Sequence, residues 1–282
     1  MSDAPARNHA PSDRPEATAE GDPLWLYGQP MPSRLMLGTS RYPSPAVLEQ
    51  AVRRAQPCML TASLRRHGAL GADASHGFWQ LLQRLAVPVL PNTAGCHSVQ
   101  EVITTAEMAR EVFATDWIKL ELIGDDYTLQ PDTLQLPAAA AELVRRGFKV
   151  LPYCTEDLVL CQRLLDVGCQ AVMPWAAPIG TGQGPVNPYA LRLLRERLPD
   201  VPLIVDAGLG LPSHACQVME WGFDGVLLNT AVALARDPVT MAGAFADAVT
   251  AGRAAYRAGA IEPQTAAQPS TPVLGTPFWH QG

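Results

Sequence analysis

Short apolar runs rich in β-branched residues or leucine recur along this chain, separated by stretches with helical spacing. The runs are Arg34–Gly38, Cys58–Ser63, Val87–Leu90, Trp117–Ile123, Lys149–Tyr153, Ala171–Pro174, Leu203–Asp206 and Gly225–Leu228. Most end in or beside Gly, Asn, Asp, Pro or Thr, residues that stop a strand and open a turn. Their starts lie about 20–35 residues apart, which leaves room for one helix after each. In the gaps, Val47, Leu48, Ala51 and Val52 share a helical face, as do Val99, Val102, Ile103 and Ala106, and Leu158, Cys161, Leu164 and Leu165. Ser44, Ser98 and Ser213 stand where N-caps are needed. Eight strand–helix units in roughly 230 residues predict an α/β fold of the closed (β/α)8 TIM-barrel type. A doubly wound open sheet competes, but the first run lacks the G-x-G-x-x-G of its dinucleotide-binding version.

Residues 1–32 and 261–282 carry many of the prolines and little periodicity, and read as flexible, disordered tails. Between them no linker interrupts the composition, so residues 33–260 are expected to form a single barrel domain. Hydrophobic residues make up 48% of the 282, enough for a full core, while the 17% charged excludes a disordered chain or a coiled coil. Lys plus Arg at 21 against Asp plus Glu at 27 gives a net charge of −6 and argues against a general nucleic-acid binder. No run reaches the ~18 apolar residues of a membrane helix, and the N-terminus lacks a signal core, so the expectation is a cytoplasmic protein off the membrane. Cys58, Cys96, Cys154, Cys161, Cys169 and Cys216 are too sparse for a disulfide scaffold and form no C-x-x-C pair. They read as buried, reduced thiols, and no metal site is expected.

Only Lys119 and Lys149 are lysines; every other cation apart from histidine is arginine. In Trp117–Ile123 the period of two puts Ile118, Leu120 and Leu122 on one face and Lys119 and Glu121 on the other. In a barrel the first face meets the helices, so Lys119 and Glu121 point into the lumen near the C-terminal rim. Desolvation and cationic neighbours there would depress the lysine pKa and leave a neutral amine able to attack a carbonyl, which arginine cannot do. A structural Lys119–Glu121 ion pair is the alternative. Lys149 opens its strand and reads as a solvated charge. Asp206 ends the seventh run, where a barrel carboxylate is often functional, and could exchange protons beside Lys119 or merely hold loop backbone.

Glycine-rich loops follow the sixth run (Ile179-Gly180-Thr181-Gly182-Gln183-Gly184) and the seventh (Ala207-Gly208-Leu209-Gly210), and the eighth run leads into Asn229-Thr230. Backbone N–H groups in such loops form the usual phosphate site of this fold, so a phosphorylated substrate is the leading expectation. Arg65-Arg66 reads as an anion contact or a solvated pair, His97 and His214 as structural, and Asp125-Asp126 as lacking metal companions.

Together these residues are similar to the bacterial thiazole synthases of thiamine biosynthesis, from about Ser33 to Gly259. The resemblance is carried by Leu35-Met36-Leu37-Gly38-Thr39 with Tyr42-Pro43-Ser44, by Leu90-Pro91-Asn92-Thr93-Ala94-Gly95-Cys96, by Lys119-Leu120-Glu121 with Ile123-Gly124-Asp125, and by Val150-Leu151-Pro152-Tyr153-Cys154. Ala177-Pro178-Ile179-Gly180, Val205-Asp206-Ala207-Gly208 and Leu228-Asn229-Thr230-Ala231 complete it. It implies a sulfur-transferring synthase in which Lys119 forms an imine with 1-deoxy-D-xylulose 5-phosphate. Sulfur would come from the thiocarboxylate of a small carrier protein, and a C–N unit from dehydroglycine made by a partner enzyme. It also implies acid/base roles for Glu121 and Asp206, and a phosphate held by Gly180, Ala207, Gly208, Asn229 and Thr230. No cofactor is implied, and a homotetramer is suggested.

Strand two (Thr61-Ala62-Ser63-Leu64), the loop from His67 to Gly77, and Trp175 after strand six depart from that pattern. Trp175 is either a packing residue or an anchor for a docked protein. The remaining alternatives are another imine-forming barrel, of the class I aldolase or pyridoxal phosphate synthase type, and a non-catalytic barrel that binds phosphate ligands.

Overall fold

The computed structural model describes residues 22–64 and 72–268, and they begin with a hairpin. Strand β1 (Leu24–Leu26) runs antiparallel to β2 (Gln29–Met31). Tyr27 and Gly28 between them both have positive φ, 49° and 71°, the backbone of a two-residue hairpin turn whose twist suits the flanking strands. The sequence reading placed these residues in an N-terminal tail. Its short length and polar-and-proline composition hid the fact that only Leu24, Leu26 and Met31 turn inward and become buried.

The barrel follows as β3 (Leu35–Gly38), β4 (Met59–Ser63), β5 (Val89–Asn92) and β6 (Trp117–Leu120). A small antiparallel hairpin, β7 (Ile123–Asp125) with β8 (Gln130–Pro131), interrupts the series. It then resumes with β9 (Lys149–Cys154), β10 (Met173–Pro174), β11 (Ile204–Asp206) and β12 (Gly225–Leu228). The eight barrel strands are parallel and pair in the order β10-β9-β6-β5-β4-β3-β12-β11, and a bridge between Val172 and Leu203 joins the two ends. The ring is therefore closed, as expected from the sequence. The eighth run matches its strand and most others differ by one or two residues at an end, the fourth and third differing most. The fourth stops at Leu120, because the chain leaves the barrel there to build the β7–β8 hairpin. The third begins at Val89 and reaches Asn92.

Around the strands lie α1 (Pro45–Ala55), α2 (Ala72–Leu85), α3 (Val99–Phe113), α4 (Leu136–Arg145), α5 (Leu158–Asp166), α6 (Pro188–Arg197) and α7 (Pro212–Glu220). The short α8 (Thr230–Ala233) and the long α9 (Pro238–Ala258) complete the shell. Ser44 and Ser98 cap α1 and α3 by accepting from the N–H groups of Val47 and Glu101. Ser213 does not cap α7: Pro212 already occupies the first turn, and the cap position falls on Leu211.

The period of two sorts the strand residues into separate cores. Leu35, Leu37, Leu60, Ile118, Leu120, Val150, Val205, Val226 and Leu228 face outward and pack with the helices. Met36, Met59, Leu90, Trp117, Leu151, Met173, Ile204 and Leu227 face inward and fill the lower lumen with Leu24, Leu26 and Met31 of the hairpin. One step further along the same inward face come Gly38, Thr61, Asn92, Lys119, Tyr153, Asp206 and Asn229. Apolar filling below thus gives way to polar chemistry above. Tyr27 closes the base by donating from its hydroxyl to Val150 O at 2.6 Å and resting edge-on to Trp117. Leu26 is fully buried, so Leu26→Ala should cost about 2–5 kcal/mol, as deletion of packed methyl groups does. Urea unfolding will show it as a lowered midpoint; an unchanged midpoint would mean that the hairpin contributes nothing to the barrel.

Candidate active site

Strand β6 delivers the central side chain. With Ile118 and Leu120 committed to the outer core, Lys119 must enter the lumen, where it is 5% exposed. Glu121 follows on the same side just past the strand end, and Asp206 arrives across the lumen at the end of β11; both are buried. Lys119 Nζ lies 2.6 Å from Asp206 Oδ2 and 3.4 Å from Glu121 Oε1. The ring of Tyr153 flanks the ammonium, with its centroid 5.7 Å from Nζ.

The charge state here differs from the expectation. Burial is the largest single influence and pulls the Lys119 ammonium down, but the combined fields of Asp206 and Glu121 outweigh it and hold the pKa above the usual lysine value. Among the described residues no second cation acts on it to help expel the proton. Lys119 is therefore an ammonium in the resting site. Burial pushes the Asp206 carboxyl up from its ordinary range, against the pull of Lys119, and makes it a stronger proton acceptor than a solvated aspartate.

Beyond Asp206 the backbone turns left-handed at two consecutive residues, Ala207 (φ 81°) and Gly208 (φ 80°). For a non-glycine residue this costs about 1–3 kcal/mol, a strain that gathers at functional sites. Gly208 cannot carry a side chain, because Ala177 of the preceding loop fills that space. Gly184 N–H donates to Gly208 O at 2.8 Å and Ala176 N–H to Ala207 O at 3.1 Å, so the two glycine loops are stitched backbone to backbone. His214 joins them through Nδ1, which accepts from Gly210 N–H at 3.2 Å. Asn229 lies over the bare α-carbon of Gly38 and donates through Nδ2 to Ser40 Oγ at 2.6 Å.

All eight residues nominated from the sequence, namely Lys119, Glu121, Asp206, Gly180, Ala207, Gly208, Asn229 and Thr230, line one cavity of about 770 Å³ at the C-terminal rim. Ordinary anion-binding logic applies at its glycine end, where Gly180, Gly182, Gly208 and Gly210 line the cavity and let the backbone approach a ligand closely. The other end presents an amine between two carboxylates.

The remaining candidates fall elsewhere. Lys149 sits at the opposite end of the barrel, half-buried, with Nζ 5.0 Å from the Trp117 ring centroid. His214 is structural, as expected. His97 lines the cavity mouth, 3.5 Å from Asp126, and Asp125 caps its own hairpin through Thr128. Arg65 and Arg66 lie outside the described residues. Trp175 is half-buried, donates its indole N–H to Glu156 and meets Tyr153 edge-on. Cys58, Cys96, Cys154, Cys161 and Cys169 are buried free thiols, while Cys216 is partly exposed. Among the described residues no three His, Cys, Asp or Glu side chains converge as a metal site requires, and no helix is long and apolar enough to cross a membrane. Sequence reasoning assigned no role to Tyr153, Ser40 or Thr93. The signal for Tyr153 was available, since it shares the inward face with Leu151.

Residues 25–272 match the family model described as thiazole biosynthesis protein ThiG. The thiazole synthase of Paracidovorax citrulli is 80% identical over 263 residues, which cover 93% of this chain and 97% of that protein. That of Variovorax paradoxus is 78% identical over 266 residues, covering 94% and 97%. Among solved structures, the BexX/CysO complex of Amycolatopsis orientalis contains a chain that superposes with a TM-score of 0.77 at 26% identity, covering 88% of this chain and all of that one.

Proposed function

The chain belongs to the ThiG family of thiazole biosynthesis proteins, and from that premise we propose how its barrel works as a thiazole synthase of the thiamine pathway. The reaction is a sulfur transfer coupled to ring closure. The observation that carries the mechanism is a buried lysine held between two carboxylates in a cavity that two glycine loops also line.

The substrate is 1-deoxy-D-xylulose 5-phosphate. Its phosphate rests on Gly180, Ala207, Gly208, Asn229 and Thr230, where N–H groups can surround an anion. This fixes the ketone near Lys119. The ammonium passes a proton to Asp206 Oδ2, only 2.6 Å away, and the freed amine adds to the ketone carbon. Loss of water from the carbinolamine gives an imine bonded to Nζ. The imine draws electrons from the neighbouring carbons, and their protons are then exchanged by Glu121 and Asp206, both within reach of Nζ. Sulfur arrives as the thiocarboxylate of a small carrier protein. The carrier leaves as its carboxylate once its sulfur is transferred; dehydroglycine, made by a separate enzyme, supplies the nitrogen and the last ring carbon, and as the ring closes this nitrogen takes the place of Nζ, which frees Lys119 and releases a thiazole phosphate carboxylate. The chain needs no organic cofactor or metal for these steps, and it works in the cytoplasm as a homotetramer. The BexX/CysO complex, which contains a chain of the same fold, supports the idea of a protein partner.

Borohydride reduction in the presence of 1-deoxy-D-xylulose 5-phosphate tests the reading. Intact mass should rise by one reduced sugar phosphate, and peptide mapping should put it on Lys119. An adduct on Lys149, or none, would reject the mechanism. Turnover without a carrier-protein thiocarboxylate would instead favour another imine-forming barrel.

A further inference from the structure

Glu121 lies outside the strand that delivers Lys119, yet it is as deeply buried, 6% against 5% exposed. Beyond the end of β6 the regular ladder no longer fixes its backbone: β5 and β6 share a single register pair, Asn92 with Lys119, and β6 ends at Leu120. Thr93, the first residue after β5 and itself fully buried, takes over. Its hydroxyl accepts from Glu121 N–H at 2.7 Å and donates to Glu121 O at 2.7 Å, so one side chain occupies both polar groups of that residue's backbone. Thr93 N–H also donates to Lys119 O at 3.2 Å. Two residues on, Ile123 N–H donates to Cys96 O at 2.9 Å, and Cys96 N–H donates back to Thr93 O at 3.2 Å. The turn from Thr93 to Cys96 therefore clasps the segment that bears Glu121. No helix or strand does so.

We propose that Thr93 is a positioning residue for the reaction: its hydroxyl replaces the missing strand partner and fixes the Glu121 carboxylate beside Lys119. The proposal rests on the acid/base role given to Glu121 above. Valine has nearly the shape of threonine but neither donates nor accepts, so Thr93→Val leaves the Glu121 N–H and C=O without this partner and frees the peptide to shift toward the cavity. A displacement of about an ångström in catalytic geometry is worth up to about a hundredfold in rate.

The test uses the full-length protein and the variants Thr93→Val, Thr93→Ser, Glu121→Gln and the Thr93→Val/Glu121→Gln double variant. Thr93→Val should lower kcat about tenfold to a hundredfold with little change in the KM for the sugar phosphate. Thr93→Ser, which keeps the hydroxyl, should recover most of the rate. In the Glu121→Gln background, Thr93→Val should cost less than about twofold further, because the group it positions is already gone. Wild-type kcat in Thr93→Val, or losses that multiply in the double variant, would overturn the proposal. A readout without substrate separates this from failure of the imine reading. Trace acetylation of Lys119 with acetic anhydride across a pH series reports the amine's titration midpoint, which should fall in Thr93→Val as it does in Glu121→Gln. An unmoved midpoint in Thr93→Val beside a shifted one in Glu121→Gln would reject the clip even if no sugar adduct ever forms. Should Thr93→Val not accumulate as folded protein, Thr93→Ala, whose vacated space a water can fill, is read by the same criteria.

Discussion

Lys119→Arg is expected to remove turnover by about 10⁴-fold or more, the scale seen when a covalent catalyst is deleted, while leaving the barrel folded. The substitution separates two roles that one lysine combines. Arginine keeps a positive charge between Asp206 and Glu121, so neither buried carboxylate is left unpaired. It cannot surrender a proton near neutral pH and so cannot attack a ketone. Borohydride should trap nothing on it. Lys119→Ala would be a poorer experiment, since stripping one member from a buried ion pair costs about 3–5 kcal/mol and confounds folding with chemistry. The pH dependence of stability offers a second check. Lys119 titrates above the ordinary 10.5 in the folded protein, so its stabilising contribution is complete below about that pH and is lost as pH rises through the folded value. Lys119→Arg should lack that alkaline loss. Retained turnover in Lys119→Arg would reduce the lysine to a structural ion pair, the alternative reading of the sequence.

Asp206→Asn should divide the reaction into two stages with opposite responses. Loss of the closer carboxylate leaves burial as the dominant influence on Lys119 and lowers its pKa, since Glu121 alone stands 3.4 Å away. More free amine is then present at a given pH. The pH at which borohydride trapping reaches half its maximum should move down relative to wild type. Turnover should nevertheless fall about 10²–10⁴-fold, because the later proton transfers lose their acid/base partner. Stopped trapping assays and steady-state thiazole formation, run on the same preparation, check both halves. A midpoint that moves up, or turnover within a few-fold of wild type, would show that Asp206 only holds the loop.

The barrel was legible because its strands obey a strict alternation that sequence preserves. Ile118, Leu120 and Leu122 declare one face, and Lys119 with Glu121 must then take the other. Lys119, Glu121 and Asp206 could be singled out for the same reason, since the alternation and the strand ends place them at the rim, whereas the choice of Gly180, Ala207, Gly208, Asn229 and Thr230 for a phosphate came from the family resemblance. Three features escaped. The β1–β2 hairpin is too short for periodicity, and its significance lies in long-range burial of three side chains. The Thr93 clip is a side chain substituting for backbone pairing, which no local pattern marks. The direction of the Lys119 pKa shift is the third, because it depends on Asp206, 87 residues away in sequence and 2.6 Å away in space. Burial alone predicts a neutral amine, and the fields of Asp206 and Glu121 together turn the balance.

The packed base of the barrel has a practical meaning. With Leu24, Leu26 and Met31 seated under the Met-rich lower lumen, the described residues form a well whose base is filled. Asp22, where the described chain begins, is tied to Arg34 and Arg253 at the closed end, across the full depth of the sheet from Lys119. An affinity handle or surface tether joined ahead of Asp22 would thus leave from the floor rather than the mouth. Immobilised this way, the protein would present its open rim to solution in a uniform orientation, which is the arrangement a sensor-based search for rim-binding proteins requires.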